Sequence, residues 1–232
     1  MLNQRLQACA AWIADGKTVC DVGTDHAYLA AELLRKERCQ HVIASDIGEG
    51  PLQAARRTLE QAGLLQRATL LLSDGLEQVD GTDVSHVVIA GMGGETIRTV
   101  LLSGADKLRG AVLVLSSHTE QPLVRRTLPE IGYHIVQEKL CQAAGRFYIF
   151  WRAEPGQADD WTAEEVHYGR LLWVQNPPKM LLDYCRYRIK VMADRLTGLA
   201  SAAGDVSQIR GEISAEIDFY QRKVMELEGT PC

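Results

Sequence analysis

From residue 18 onward, short apolar runs rich in β-branched residues alternate with stretches whose apolar positions recur every three or four residues. TVCDVG (18–23), HVIASD (41–46), ATLLLSD (68–74), HVVIAGM (86–92) and AVLVLSS (111–117) are nearly continuous apolar runs. Strands buried on both faces of a parallel sheet read this way. Between them, AYLAAELLRKE (27–37), PLQAARRTLEQAG (51–63) and ETIRTVLLSGADKL (95–108) carry helical spacing, with Gly63 as a stop. GYHIVQEKLC (132–141) and RFYIFWRAE (146–154) are separated only by QAAG. That loop is too short for a crossover helix, so the pair predicts an antiparallel hairpin. Five parallel-type strands followed by a hairpin predict an α/β, doubly wound, Rossmann-like sheet.

After Glu154 the strand pattern stops. PGQADDW (155–161) reads as a linker, and apolar residues then recur at Leu182, Cys185, Ile189, Met192, Leu196 and Leu199. Beyond SAAGDVS (201–207) they recur at Ile213, Ile217, Tyr220, Val224 and Leu227. Two heptad-like helices joined by a short turn predict an antiparallel, coiled-coil-like helical hairpin. The expected division is a sheet domain over 1–156 and a helical domain over 157–232, with a homodimer through the helices as a further expectation.

Composition narrows the setting. Apolar content of 46% fits a folded chain, and no apolar window approaches the ~20 residues of a membrane span. The start, MLNQRLQ, lacks a signal-peptide core, which predicts a cytoplasmic protein. The six cysteines (Cys9, Cys20, Cys39, Cys141, Cys185 and Cys232) include no CxxC and mostly fall in apolar patterns. They read as small core residues, without metal or disulfide. A net charge of −5 argues against a surface coated in phosphate-binding groups but allows a local basic patch.

In a doubly wound sheet, ligands bind beyond the carboxyl ends of the strands. Those ends present Asp21-Val22-Gly23, Asp46, Ser73-Asp74-Gly75 and Gly91-Met92-Gly93-Gly94. Asp46 is placed to accept from a ribose diol; its ordinary alternative is a surface turn acid. Asp74-Gly75 alone is also turn chemistry, but three acids in register suit a ligand with an amino group, a ribose and an adenine amine. GMGGET (91–96) has G-x-G but Thr96 at the sixth position, and it follows the fourth strand. It is a poor dinucleotide fingerprint, whereas glycine there lets backbone approach a flat ligand. The first loop places Asp25 where phosphate binders use glycine, just before a helix expected to start near His26. A carboxylate at that point repels pyrophosphate, which disfavours nicotinamide, flavin and ATP phosphates. It suits a donor that is cationic or zwitterionic there, such as S-adenosylmethionine.

In order, DVGTDHAYL, IASDIGEGPL, SDGL, IAGMGGETI and EKLCQAAGRFYIF resemble the bacterial tRNA (adenine-22-N1)-methyltransferase family, and YGRLLWVQNPPKMLLDYCRYRI (168–189) is similar to the start of its C-terminal helical part. The resemblance implies a seven-stranded methyltransferase domain with an antiparallel last strand, S-adenosylmethionine as donor and a tRNA adenine as acceptor. It implies that Asp21, Gly23, Asp46, Ile47, Asp74, Gly75, Gly91 and Met92 line the cofactor. It implies that Arg5, Asp25, His26, Tyr28, Gly93 and Gly94 face the reacting base. After the fifth strand the family carries Gln-Pro-Asn, where this chain has Ser116-Ser117-His118-Thr119, overlooking the acceptor pocket. Asp25 is the candidate for stabilising a cationic product, with His26 and Tyr28 orienting or stacking the base. Lys179, Arg186, Arg188, Lys190 and Arg195, interleaved with Tyr184 and Tyr187, form a candidate RNA-binding stripe; the bland alternative is a solvated helix face. The competing functions are methylation of another substrate, a nicotinamide-dependent oxidoreductase, and a non-catalytic binding or dimerisation protein.

Overall fold

The computed structural model describes residues 4–13, 16–157, 160–199 and 206–229. The strands are β1 (Gly16–Val22), β2 (Cys39–Asp46), β3 (Ala68–Leu72), β4 (Val84–Met92), β5 (Val112–Ser117), β6 (Tyr133–Ala143) and β7 (Arg146–Pro155). They form one seven-stranded sheet in the order β3-β2-β1-β4-β5-β7-β6. β1 pairs in parallel with both β2 and β4, β2 with β3 and β4 with β5, while β7 runs antiparallel to β5. The strand order reverses beside β1, so the carboxyl ends of β1, β2 and β4 border one crevice.

The helices are α1 (Gln4–Ala11), α2 (Tyr28–Arg35), α3 (Glu49–Gln61), α4 (Gly94–Ser103), α5 (Ala105–Leu108), α6 (Gln121–Glu130), α7 (Ala163–Tyr168), α8 (Leu172–Gln175), α9 (Pro178–Gly198) and α10 (Ser207–Gly229). One core joins Cys9 of α1, Leu29 and Leu33 of α2 and Leu59 of α3 to Val19, Val42, Val88 and Val114 of the strands. Side chains alternate along a strand, so Val87, Ile89, Leu113 and Leu115 point to the opposite face. They are buried as well. Both faces are therefore covered, which is why these strands read as continuous apolar runs rather than as alternation.

Contacts among the described residues group those up to 144 with 148–175, and 145–147 with those from 176 on. In the first unit, a buried ion pair links α6 to β6, with Arg125 Nε 2.7 Å from Glu138 Oε1. The Trp151 indole N–H donates to the same oxygen at 2.6 Å, and the Leu172 N–H donates to Glu138 Oε2 at 3.1 Å. Arg125 Nη1 donates to the carbonyls of Val166 (3.2 Å) and His167 (3.1 Å). These bonds offset the cost of burying two charges and fasten the segment around α7 and α8 to α6, β6 and β7.

The second unit is the helical hairpin. Tyr184 pairs with Tyr220, Arg188 with Glu216, and the Leu199 carbonyl with Arg210. Partners descend α10 as they ascend α9, so the helices are antiparallel, as their apolar spacing predicts. Most of the turn SAAGDVS and Cys232 lie outside the described residues. Cys9, Cys20, Cys39 and Cys185 are buried free thiols, and burial pushes those of Cys9, Cys20 and Cys185 up to about 12. Among the described residues no helix is long and apolar enough to cross a membrane.

Candidate active site

β1 delivers Asp21 to the crevice in a buried position, 6% exposed. The Thr24 hydroxyl donates to Asp21 Oδ2 at 2.7 Å. Desolvation raises this carboxyl to about 6; the Thr24 bond opposes the rise and the nearby Asp46 charge adds to it. The loop then folds back on β2, with the N–H groups of Gly23 and Thr24 both donating to the Ser45 carbonyl at 2.9 Å. Three residues of this turn are left-handed: Gly23 (φ 70), Asp25 (φ 52) and Ala27 (φ 53). Only the first is glycine, so the turn holds two side chains in a conformation that L-residues seldom adopt, and such strain concentrates at functional sites. The left-handed Ala27 also delays α2, which starts at Tyr28 rather than near His26.

Asp46 ends β2 with its carboxylate already oriented. Oδ2 accepts from the Asp25 N–H at 3.2 Å and Oδ1 from the Gly48 N–H at 3.0 Å. Each oxygen keeps acceptor capacity for a ligand. Ile47 beside it is 70% exposed. Asp74 is exposed in the turn after β3. There the Ser73 hydroxyl donates to the Gly75 carbonyl (3.1 Å) and accepts from the Gln78 N–H (3.2 Å). Gly75 has φ +54, and a Cβ on it would meet Val100 at 2.8 Å.

At the end of β4 the ladder with β5 slips between Ala90 and Met92, leaving Gly91 as a bulge with φ +91. Bulges beside active sites re-aim the chain, and here Met92 comes over the first loop: a Cβ on Gly23 would lie 2.2 Å from Met92 Cε. Gly93 caps α4. Gly94 is buried, and a Cβ there would sit 2.6 Å from the Glu120 carbonyl oxygen. Close packing of two backbones thus accounts for Gly94 without a substrate contact.

The outer rim carries the remaining candidates. His26 stacks on Tyr28 with centroids 5.4 Å apart and planes 19° off parallel. Asp25 Oδ1 is 3.6 Å from His26 Nε2, with the Asp25 side chain 72% exposed. Arg5 of α1 reaches His118, after β5, with Nη1 3.3 Å from Nε2. The Arg5 guanidinium also lies over the Tyr148 ring at 5.6 Å, and Tyr148 meets His118 edge-on at 5.7 Å. Thr24 and Tyr148 are additions to the sequence candidates. Thr24, three residues after Asp21 in the loop that follows β1, carries a legible signal, whereas Tyr148 lies within an ordinary strand pattern.

On α9 the basic stripe divides. Lys179 and Lys190 are exposed, and the exposed Arg186 pairs with Glu228 at 2.8 Å. Arg188 turns into the hairpin, over the Tyr220 ring at 5.5 Å and 3.2 Å from Glu216. Tyr184 is buried, and Phe147 packs on Tyr184 and Tyr187 at 5.6 and 5.3 Å. Arg188 and Tyr184 therefore serve hairpin packing rather than an outward RNA-binding face.

A sheet of this order with an antiparallel seventh strand, acids ending β1 and β2 and a glycine bulge ending β4 define a Rossmann-like methyltransferase. The methyltransferase-domain family matches residues 2–150. The tRNA (adenine(22)-N(1))-methyltransferase of Bacillus subtilis (strain 168) is 33% identical over 159 residues, which span 68% of this chain and 67% of that one. A crystal structure of a candidate tRNA (m1A22) methyltransferase from Streptococcus pneumoniae matches with a TM-score of 0.84 and 29% identity, covering 97% of this chain and 100% of that one. Its complex with S-adenosyl-L-methionine matches at 0.83 with the same identity and coverage. The chain belongs to the tRNA (adenine(22)-N(1))-methyltransferase family, as its sequence motifs suggest.

Proposed function

We propose that this protein transfers a methyl group from S-adenosylmethionine to N1 of adenine 22 in tRNA. The observation that carries the reading is the first loop. It sets the Asp21 and Asp46 carboxylates around a turn where Asp25 stands in place of a phosphate-cradling glycine. The residues fit the donor. Asp46, pre-oriented by two backbone N–H groups, suits a ribose diol. Asp21, buried with a raised carboxyl, gains from a nearby cationic group. Gly23, where a Cβ would collide with Met92, keeps the floor of the site low. When bound, the donor supplies an electrophilic methyl on a sulfonium.

Adenine N1 has an in-plane lone pair and needs no deprotonation before attack, so the chain's main task is alignment, worth roughly 7–11 kcal/mol. The His26–Tyr28 stack offers an aromatic face for the base. Methylation makes the base cationic, and the Asp25 carboxylate beside that stack offsets the developing charge. N1 lies on the Watson–Crick edge, so the base must be unpaired or extruded, at a cost of a few kcal/mol.

Lys179, Arg186 and Lys190 on the exposed side of α9 are the tRNA contacts we favour in the helical part. A functional division at 1–156 and 157–232 follows the end of the strand pattern, while α7 and α8 pack with the sheet unit. Self-association through the helices is supported by the exposed apolar side chains of Val191, Ile209 and Met225, and a tRNA substrate supports a cytoplasmic location. The test is label transfer from methyl-labelled donor to an unmodified tRNA transcript and to the same transcript with guanine at position 22. Label should enter the first and not the second; label in both would overturn the site assignment.

A further inference from the structure

Arg5 is a partly buried cation that forms no ion pair with an acid among the described residues. Its Nε is buried and without a hydrogen-bond partner. One Nη rests 3.3 Å from His118 Nε2, and the other lies 3.5 Å from where a Cβ on Gly91 would be. A guanidinium only donates, so in this contact His118 Nε2 is the acceptor. Tyr148 holds the guanidinium at 5.6 Å through its π-face and buttresses His118 edge-on. An imidazole and a phenol ring carry no negative charge, so they fix the fork without neutralising it. The bulge at Gly91, which has no side chain, keeps the approach to the fork clear.

A fixed, uncompensated guanidinium with unused donors matches an oxyanion. We propose that Arg5 clamps the phosphodiester of the acceptor nucleotide, and that His118 and Tyr148 are the positioning residues that hold it. This rests on the tRNA reading above. The base is the poorer ligand for Arg5, because methylation makes it cationic and a guanidinium against it would oppose the reaction. Phosphate at Arg5 and base at the Asp25 loop place each charge opposite its complement.

The same oxyanion chemistry is present in the carboxylate of the donor's methionyl tail, and the experiment separates the two. Binding of the full-length protein to unmodified tRNA is measured between 50 and 200 mM salt (about the range over which phosphate contacts are resolved), with donor affinity by calorimetry. Arg5→Gln should weaken tRNA binding at low salt by about tenfold or more and flatten the slope of log K against log salt by roughly 0.7–0.9. Donor affinity should be unchanged. Arg5→Lys should keep the slope. His118→Phe, which retains a ring against Tyr148 but removes the acceptor, should weaken tRNA binding by a smaller factor and spare the donor. An unchanged salt slope in Arg5→Gln overturns the clamp, and a loss confined to donor affinity assigns Arg5 to the carboxylate instead. If Arg5→Gln does not fold, unchanged tRNA affinity in His118→Phe overturns the proposal. Wild-type protein that neither binds nor methylates tRNA would overturn the parent reading as well.

Discussion

Replacing Asp21 by asparagine removes a charge that the fold pays to keep. The side chain is buried, the Thr24 hydroxyl is its hydrogen-bond donor at 2.7 Å, and its carboxyl rises from 3.8 to about 6, chiefly through desolvation. At about 1.4 kcal/mol per tenfold change in proton affinity, the ionised form is disfavoured by about 3 kcal/mol. The folded state holds the proton more tightly than the unfolded chain. The Asp21 contribution to native stability is therefore most favourable below about pH 4, falls as pH rises through 4–6, and is flat above. Asp21→Asn is isosteric, keeps an acceptor for Thr24 and has nothing to titrate. Urea unfolding should show it more stable than wild type by about 3 kcal/mol at pH 7.5, about half that at pH 5, and about 0.5 kcal/mol at pH 4. Its melting temperature at pH 7.5 should be about 6–12 °C higher. S-adenosylmethionine should raise the melting temperature of wild type and leave the variant unmoved, because the charge that costs stability serves the ligand. A variant no more stable than wild type at pH 7.5, or a gap independent of pH, would refute the reasoning.

Other perturbations address separate links. Asp25→Asn should lower kcat by about 10²-fold or more while sparing donor affinity; equal losses in both would move Asp25 into the cofactor site. Gly23→Ala, at φ +70 and with its new Cβ 2.2 Å from Met92 Cε, should cost about 1–2 kcal/mol in unfolding experiments and weaken donor binding in calorimetry. Glu138→Gln strands the buried Arg125 charge and should cost about 3–5 kcal/mol, with much of that regained when Arg125→Met is added; a loss under 1 kcal/mol would show the pair to be solvated in solution.

The sheet was legible because strands covered on both faces leave an apolar run that local reading detects, and because QAAG admits only a hairpin. The helices were less so. The apolar pattern does not announce α1, which buries only Cys9, or α6, where Pro122 and Pro129 suggest a break. Pro122 stands in the first turn of α6, where a missing N–H is tolerated. The stretch 95–108 reads as one helix, but the backbone leaves helical geometry at Gly104 (φ −105, ψ 14) and divides it; a Cβ there would meet Leu76 at 2.5 Å, so the position suits glycine. Strand-end acids were readable from topology alone. What each carboxylate faces was not: the burial of Asp21 and the two N–H groups on Asp46 depend on how the first loop folds against β2. Arg125 and Glu138 look like surface charges until β6 and β7 pair and bring Trp151 to the same oxygen. Arg188 looks like part of an RNA-binding stripe until α10 supplies Glu216 and Tyr220.

The central claim is that the acidic first loop serves a sulfonium donor and an adenine acceptor. Its most direct test is mass spectrometry of nucleosides and nuclease fragments from unmodified tRNA incubated with the protein and S-adenosylmethionine. The account predicts one added methyl, on N1 of the adenine at position 22. No added methyl in tRNA that the protein binds, or a methyl on another atom, would contradict it.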